Sequence, residues 1–226
     1  MNDKEYWSQY WKQHHERPHH STYLDEERNK RILKLIQNPT AKEPSEIKIL
    51  EVGCGPAINL CYFKQLGYNC YGVDYSEEAV MLANHNNVEI VCADARDLPF
   101  ESELFDLVYS AGLVEHYANK ENMLNEMVRV CKHQGKIIAT VPNLLHPWTV
   151  IKKFTKNKLF RIEETFNPKS LEYLLNSVQL SNIQIEGICA DPCRVVKPGL
   201  IKFLDNDKNI ATLFGVELIG SGTKSL

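Results

Sequence analysis

The residues of this 226-residue chain whose types and spacing can do chemistry lie in Glu51-Val-Gly53-Cys-Gly55-Pro-Ala57. Two glycines two positions apart let the backbone turn sharply and approach a ligand with no Cβ in between. If a helix opens directly behind them, its unpaired N–H groups and dipole favour an anionic group. A second acid, Asp74, closes the run Tyr71-Gly72-Val73-Asp74, 19 residues beyond Gly55. That is close to the separation of about 20 residues at which a carboxylate accepts from ribose hydroxyls. Taken alone, Asp74 could equally cap a helix or face solvent; with the glycine turn it points to a nucleoside. A dinucleotide loop would carry G-x-G-x-x-G, and Ile58 stands at the third glycine position, which counts against NAD.

Such a turn works only at the carboxyl end of a strand with a helix behind it. From Ile47 onward, short apolar runs alternate with helical stretches, which predicts strand–helix units in a mostly parallel sheet. Strands are expected at Lys48–Val52, Asn69–Val73, Val88–Cys92, Phe105–Ser110 and Lys136–Val141. Helices are expected at Ala57–Leu66, ended by Gly67, then at Ser76–Asn84 and Asn119–Lys132. Ser76 is a good cap, and Glu77 and Glu78 meet the positive end of the helix dipole. Asn167-Pro168, a cap followed by proline at the first helical position, predicts a helix through Ser177. Strands near Ile183–Ile188 and Thr212–Ile219 complete the pattern. Ahead of the sheet, a helix over about Thr22–Gln37 has Glu26–Lys30 and Glu27–Arg31 as i,i+4 pairs. Leu24, Ile32, Leu35 and Ile36 form its apolar stripe, and Asn38-Pro39 stops it.

Further segments follow in a telling order. Asp94-Ala95-Arg96-Asp97-Leu98-Pro99-Phe100 comes after the third strand, Phe105–His116 runs a Phe-Asp-Leu-Val strand into Glu-His, and Glu126–Gly135 reads Glu-x-x-Arg-Val before Lys-x-x-Gly. With the glycine turn and Asp74 this series resembles the class I S-adenosylmethionine (SAM)-dependent methyltransferases, in particular their type 11-like small-molecule group. The resemblance implies one Rossmann-like α/β domain over residues 1–226, with a seven-stranded, mostly parallel sheet whose last strand is antiparallel. Residues 47–143 would be the SAM-binding core, 1–40 an N-terminal lid or helix, and 144–166 a substrate cap. It implies SAM as cofactor, with Glu51 among the residues that bind it, the Gly53–Gly55 loop against the methionyl part and Asp74 on the ribose hydroxyls. Tyr75 would pack beside the adenine, Asp94 accept from its amino group, and the Ala95 backbone meet the ring edge. Ser110 and Ala111 would lie near the methionyl moiety. Ala57 replaces the third glycine of the family loop; a positive φ there would cost about 1–2 kcal/mol.

His116 is the candidate catalytic residue, since the resemblance puts it beside the methyl-transfer site. It would either accept a proton or orient the acceptor. Glu115 reads as a surface or supporting acid. Tyr6, Trp7, Tyr10 and Trp11 are either a lid that keeps water from a reactive sulfonium or a helix packed on the sheet. His14, His15, His19 and His20 lack metal-ligand spacing, so no metal is expected. Lys152, Lys153, Lys156, Lys158 and Arg161 outweigh Glu163 and Glu164, which suits either a solvated face or an acidic or phosphorylated acceptor. Cys189 and Cys193 have no second cysteine pair to complete a zinc site.

Composition sets the outer bounds. At 43% hydrophobic and 24% charged, the chain is neither disordered nor collagen-like. A net charge of −3, with no basic stripe, gives nucleic acid little to hold. The start lacks a signal-peptide core, no stretch approaches the ~18 apolar residues of a membrane span, and seven scattered cysteines fit reduced thiols in the cytoplasm. The expected activity is methyl transfer from SAM to an O, N or C atom of a small-molecule acceptor. A protein or RNA methyltransferase on the same core, or a non-catalytic SAM-binding protein, is the rival.

Overall fold

The computed structural model describes residues 3–14, 23–37, 42–83, 88–146, 149, 164–188 and 208–225. Asn38-Pro39, His15, His19, His20, the basic run 152–161, most of 190–211, Cys189 and Cys193 lie outside the described residues.

The elements run α1 (Asp3–His14), α2 (Tyr23–Gln37), β1 (Lys48–Val52), α3 (Ile58–Gln65), β2 (Asn69–Asp74), α4 (Glu77–Ala83) and β3 (Glu89–Cys92). They continue with β4 (Phe105–Ala111), α5 (Lys120–Val130), β5 (Cys131–Pro142), α6 (Pro168–Ser177), β6 (Leu180–Ile188), α7 (Lys208–Phe214) and β7 (Glu217–Lys224). The strands form one sheet in the order β3-β2-β1-β4-β5-β7-β6. The five strands from β3 to β5 pair in parallel. β7 runs antiparallel between β5 and β6. This is the mostly parallel, seven-stranded sheet with an antiparallel last strand that the sequence predicts.

Strand alternation divides the core between two faces. Leu50, Val52, Val108 and Ile137 face one way, where Met123, Leu124 and Met127 of α5 and Leu171 and Leu175 of α6 cover them. Ile49, Leu107, Tyr109 and Ile138 face the other way, against Ile32 of α2 and Leu60 and Phe63 of α3. Each fully buried aliphatic or aromatic side chain contributes about 1.5–3 kcal/mol. Local signals close the helices as expected. Gly67 takes φ 91° and donates to Lys64 O at 3.0 Å. Ser76 Oγ accepts from Ala79 N at 3.3 Å. Asn167 Oδ1 accepts from Ser170 N at 2.9 Å, with Pro168 in the first turn.

Three expectations need correction. The apolar run from Thr212 begins inside α7, and the last strand starts only at Glu217. Thr212 Oγ1 donates to Lys208 O at 2.6 Å and Gly215 N to Ala211 O at 2.7 Å, so local bonds close a helical turn there first. β5 starts at Cys131, because Cys131 already pairs with Phe105 ahead of a register shift. On α2, Lys30 reaches Glu27 at i−3, at 2.7 Å, and Arg31 reaches Glu186 of β6 at 3.2 Å. Part of the charge that reads as local helix pairing therefore ties α2 to the sheet. No helix among the described residues is long and apolar enough to cross a membrane.

Candidate active site

The carboxyl ends of β1, β2 and β4 meet at the glycine loop. Gly53 N and Cys54 N both donate to Val73 O, at 2.7 and 3.0 Å, which folds the loop back over the end of β2. Gly53 and Gly55 take φ of 74° and 50°. A Cβ on Gly53 would stand 2.7 Å from Leu113 Cδ1, and one on Gly55 2.7 Å from Trp11 Cζ2. The third loop position is left-handed as well: Ala57 has φ 61° and ψ 30° and is fully buried at the start of α3. The cost expected of a non-glycine residue there is therefore present. Asp74 closes the arrangement, accepting from Gly55 N at 2.8 Å and Ser76 N at 2.9 Å. Burial raises the Asp74 carboxyl above its usual range, and these amides pull it back only in part.

Above the loop lies a cavity of about 800 Å³. Of the residues predicted from the sequence, Glu51, Gly53, Gly55, Asp74, Tyr75, Ala95, Ala111 and His116 line it. Asp94 and Ser110 are not among its lining residues. Adjacent strand residues face opposite ways, so Ala111 reaches the cavity while Ser110 stays fully buried behind it. The Asp94 carboxylate is engaged by Arg96, whose Nη2 donates to Oδ2 at 2.7 Å and Nε to Oδ1 at 3.0 Å. Arg96, in turn, lies 5.6 Å over the Tyr117 ring. The Arg96 hydrogen bonds hold the Asp94 carboxyl below its ordinary pKa.

Tyr6, Trp7, Tyr10 and Trp11 of α1 form the aromatic wall. Their i, i+1, i+4 spacing puts them on one helix face. Trp7 meets His116 edge to face at 4.9 Å between centroids. Lys12 Nζ lies 2.9 Å from Glu78 and fastens α1 to α4. Burial pushes the His116 imidazole below its ordinary pKa, so the ring is neutral near pH 7. Glu115 is buried and also lines the cavity, where a surface acid was one expectation.

Glu51 sits at the base of the cavity, 1% exposed. Asn59 Nδ2 donates to its Oε1 at 2.9 Å, and the Tyr109 hydroxyl also hydrogen-bonds the carboxyl. Burial pushes the Glu51 carboxyl up to about 7, partly opposed by the Asn59 bond, then the Tyr109 bond and the charge of Arg28. The fully buried Tyr109 hydroxyl is raised too, by burial and then by that carboxyl. A cluster that sequence reading missed completes the wall. Arg28 donates from Nη1 to Asp25 at 2.7 Å, and from Nε and Nη2 to Glu217 of β7 at 3.1 and 2.9 Å. Thr140 Oγ1 donates to the same Glu217. Asp25 and Arg28 both face the cavity.

Residues 50–139 match the family model described as "Methyltransferase domain". The chain is 30% identical over 200 residues to a chloroplastic tocopherol O-methyltransferase of Arabidopsis thaliana, covering 79% of this chain and 55% of that protein. It is 28% identical over 138 residues to a demethylmenaquinone methyltransferase of Mycobacterium tuberculosis, 58% of each. The chain thus spans little more than half the length of these curated relatives. Its fold is similar to a Thermotoga maritima structure described as a SAM-dependent methyltransferase, possibly acting on histamine, with a TM-score of 0.65, 19% identity, and 85% and 87% of the two chains covered. The matched segment carries the glycine loop, Asp74 and the strand leading to His116, and they meet at one cavity. The match to the methyltransferase domain covers residues 50–139, and the fold is similar to that of a SAM-dependent methyltransferase.

Proposed function

We propose that this protein transfers the methyl group of SAM to a nucleophilic atom of a small molecule held in the cavity. The observation that carries the reading is that the glycine loop, Asp74 and the buried Glu51 carboxyl line one cavity. A carboxylate has about four acceptor sites, and the α-ammonium of SAM is a donor that would use one of them. When bound, SAM supplies a methyl group already activated on a sulfonium. The protein then has to align the acceptor and keep water out.

In this reading Asp74 holds the ribose hydroxyls, Tyr75 and the Ala95 backbone border the adenine, and Ala111 borders the methionyl chain with Ser110 behind it. Asp94 takes the adenine amino group after Arg96 releases one of its bonds. His116 receives a proton from the acceptor where one must leave, since its half-buried ring has a lowered pKa and is free to accept one. Residues 1–40 are the lid, with the aromatic face of α1 against the cavity, and 144–166 are the cap. A cavity of about 800 Å³ with an aromatic wall has the size of a small-molecule site, and the relatives named for demethylmenaquinone and tocopherol point the same way. The free thiols Cys54, Cys61, Cys70, Cys92 and Cys131 favour a cytoplasmic setting.

Calorimetry with SAM and NAD, followed by transfer of a labelled methyl from SAM into separate small-molecule, protein and RNA fractions, tests the reading. SAM binding, no NAD binding and label among small molecules is the expected result. Label confined to protein or RNA, or NAD binding without SAM, overturns it.

A further inference from the structure

Resting on the methyl-transfer reading, we infer that the acceptor is an amine, held by its positive charge between the aromatic face of α1 and the carboxylates Asp25 and Glu115.

The aromatic wall runs the length of the site. Trp11 stands over Gly55, so close that a Cβ there would lie 2.7 Å from Trp11 Cζ2. Trp7 meets His116 at 4.9 Å between centroids. α1 thus reaches from the glycine loop to the residue expected beside the transferred methyl. Tyr6–Trp7, Trp7–Tyr10 and Tyr10–Trp11 have centroids 5.2, 5.5 and 5.2 Å apart and planes 83°, 73° and 86° from one another. Rings that meet edge to face leave π surface uncovered, and all four are half-buried and line the cavity. The face of a Trp or Tyr ring carries negative potential and attracts an ammonium within about 6 Å. A neutral apolar acceptor would be served as well by aliphatic side chains, yet every apolar residue of α1 is Tyr or Trp.

Charge points the same way. Among the described residues, Asp25, Glu51, Asp74 and Glu115 line the cavity against Arg28 and Arg96. Both guanidiniums are already bonded to carboxylates outside that set, Glu217 and Asp94. SAM brings one net positive charge, so the occupied site stays net negative. It repels a carboxylate or phosphate on the acceptor and attracts an ammonium. Glu115 is 4% exposed and next to His116 in the chain, where solvent screens its charge least.

Methyl transfer to nitrogen suits this setting. The nitrogen lone pair forms the new N–C bond as the C–S bond breaks, and the electron pair of that bond stays on sulfur. Positive charge moves from sulfur to nitrogen, where the rings and carboxylates stabilise it as it develops. An ammonium gives up one proton before it attacks, and the His116 imidazole takes that proton and passes it to water.

The test measures binding by equilibrium dialysis to the full chain saturated with S-adenosylhomocysteine, whose sulfur is uncharged. Benzyltrimethylammonium, its neutral isostere neopentylbenzene and phenylmethanesulfonate differ in charge at nearly constant shape. The cation should bind at least tenfold more tightly than the isostere, and the sulfonate more weakly than either. That cation-to-isostere ratio should fall severalfold in Trp7→Leu, which keeps an apolar side chain and loses the π face, and in Glu115→Gln, which keeps the shape and loses the charge. Cooperative unfolding shows first that each variant is folded. A wild-type ratio near one, or a sulfonate that binds more tightly than the cation, overturns the proposal without any variant, as does a ratio that both variants leave intact. With labelled SAM and a metabolite extract, the labelled product should be retained by a cation exchanger at neutral pH; a neutral or anionic product overturns the proposal too. Wild-type protein that binds neither SAM nor S-adenosylhomocysteine overturns the methyltransferase reading itself, a separate outcome.

Discussion

Glu51→Gln should make the protein more stable and a worse binder of SAM, and the two effects have one cause. The Glu51 carboxyl is fully enclosed and its pKa is pushed from 4.5 to about 7. At 1.36 kcal/mol per pKa unit, ionising it inside the fold costs about 3 kcal/mol. Between pH 4.5 and 7 the folded protein holds a proton that the unfolded chain has lost. Stability from this group is therefore complete below pH 4.5 and is lost as pH rises through 7. Glutamine has no such titration and still offers a carbonyl to Asn59. The stability advantage of Glu51→Gln over wild type should grow by about 3 kcal/mol from pH 4.5 to 8, read by urea unfolding at each pH. SAM affinity should fall by roughly ten- to a hundredfold at pH 8, because a charge-assisted bond to the ammonium, worth about 1.5–3 kcal/mol, is lost.

The same titration predicts proton release. Near pH 7 about half of the unliganded molecules carry the Glu51 proton, and an arriving ammonium drives it off. Calorimetry in buffers of different ionisation enthalpy should find about half a proton released at pH 7 and nearly a whole one at pH 6. SAM affinity of the wild type should weaken close to tenfold per pH unit below 7. A stability difference that is flat from pH 4.5 to 8, with no proton released, would refute the reasoning: the carboxyl would then be ionised in the free protein.

Asp74→Asn should weaken SAM binding about tenfold or more with the fold intact, since one charge-assisted bond contributes about 1.5–3 kcal/mol; calorimetry with unchanged affinity would place the ribose elsewhere. Ala57→Gly should stay within about 0.5 kcal/mol of wild type in urea unfolding. Relief of the left-handed strain offsets the lost methyl burial, whereas the same change in an ordinary helix costs about 1 kcal/mol; a loss above that value would mean no strain was held there. His116→Ala should lower kcat by about 10²–10⁴-fold if the ring takes a proton. Because burial lowers its pKa, the acid limb of the wild-type pH–rate profile should lie below 6.5 and vanish in the variant; a surviving limb assigns His116 to orienting alone.

The glycine loop and Asp74 were legible because their parts are local and largely made of backbone. Gly53, Gly55 and Asp74 sit within one strand–helix–strand unit, and their bonds run between amides and a single carboxylate. Residue type and spacing suffice to find such a unit. The Arg28 cluster follows a different rule. Arg28, on a helix whose charges look solvated, is buried against a carboxylate from the last strand. Arg28 stands four residues after Leu24 and four before Ile32, on the apolar stripe itself, but the helical period says nothing of the carboxylate it meets there. The start of that last strand was itself misplaced, because Lys208–Phe214 has β-like apolar content but is closed by helical bonds ending at Gly215. Ser110 shows the same limit at single-residue scale: a motif reaches both Ser110 and Ala111, but only the pleat decides which one faces the ligand. Pairing across 189 residues is settled by sheet order, with β7 inserted between β5 and β6, which brings Glu217 beside Thr140 and under α2. A loop closed by its own backbone is therefore legible from residue type and spacing, whereas a buried ion pair such as Arg28–Glu217 is assembled only once distant segments have closed on the sheet.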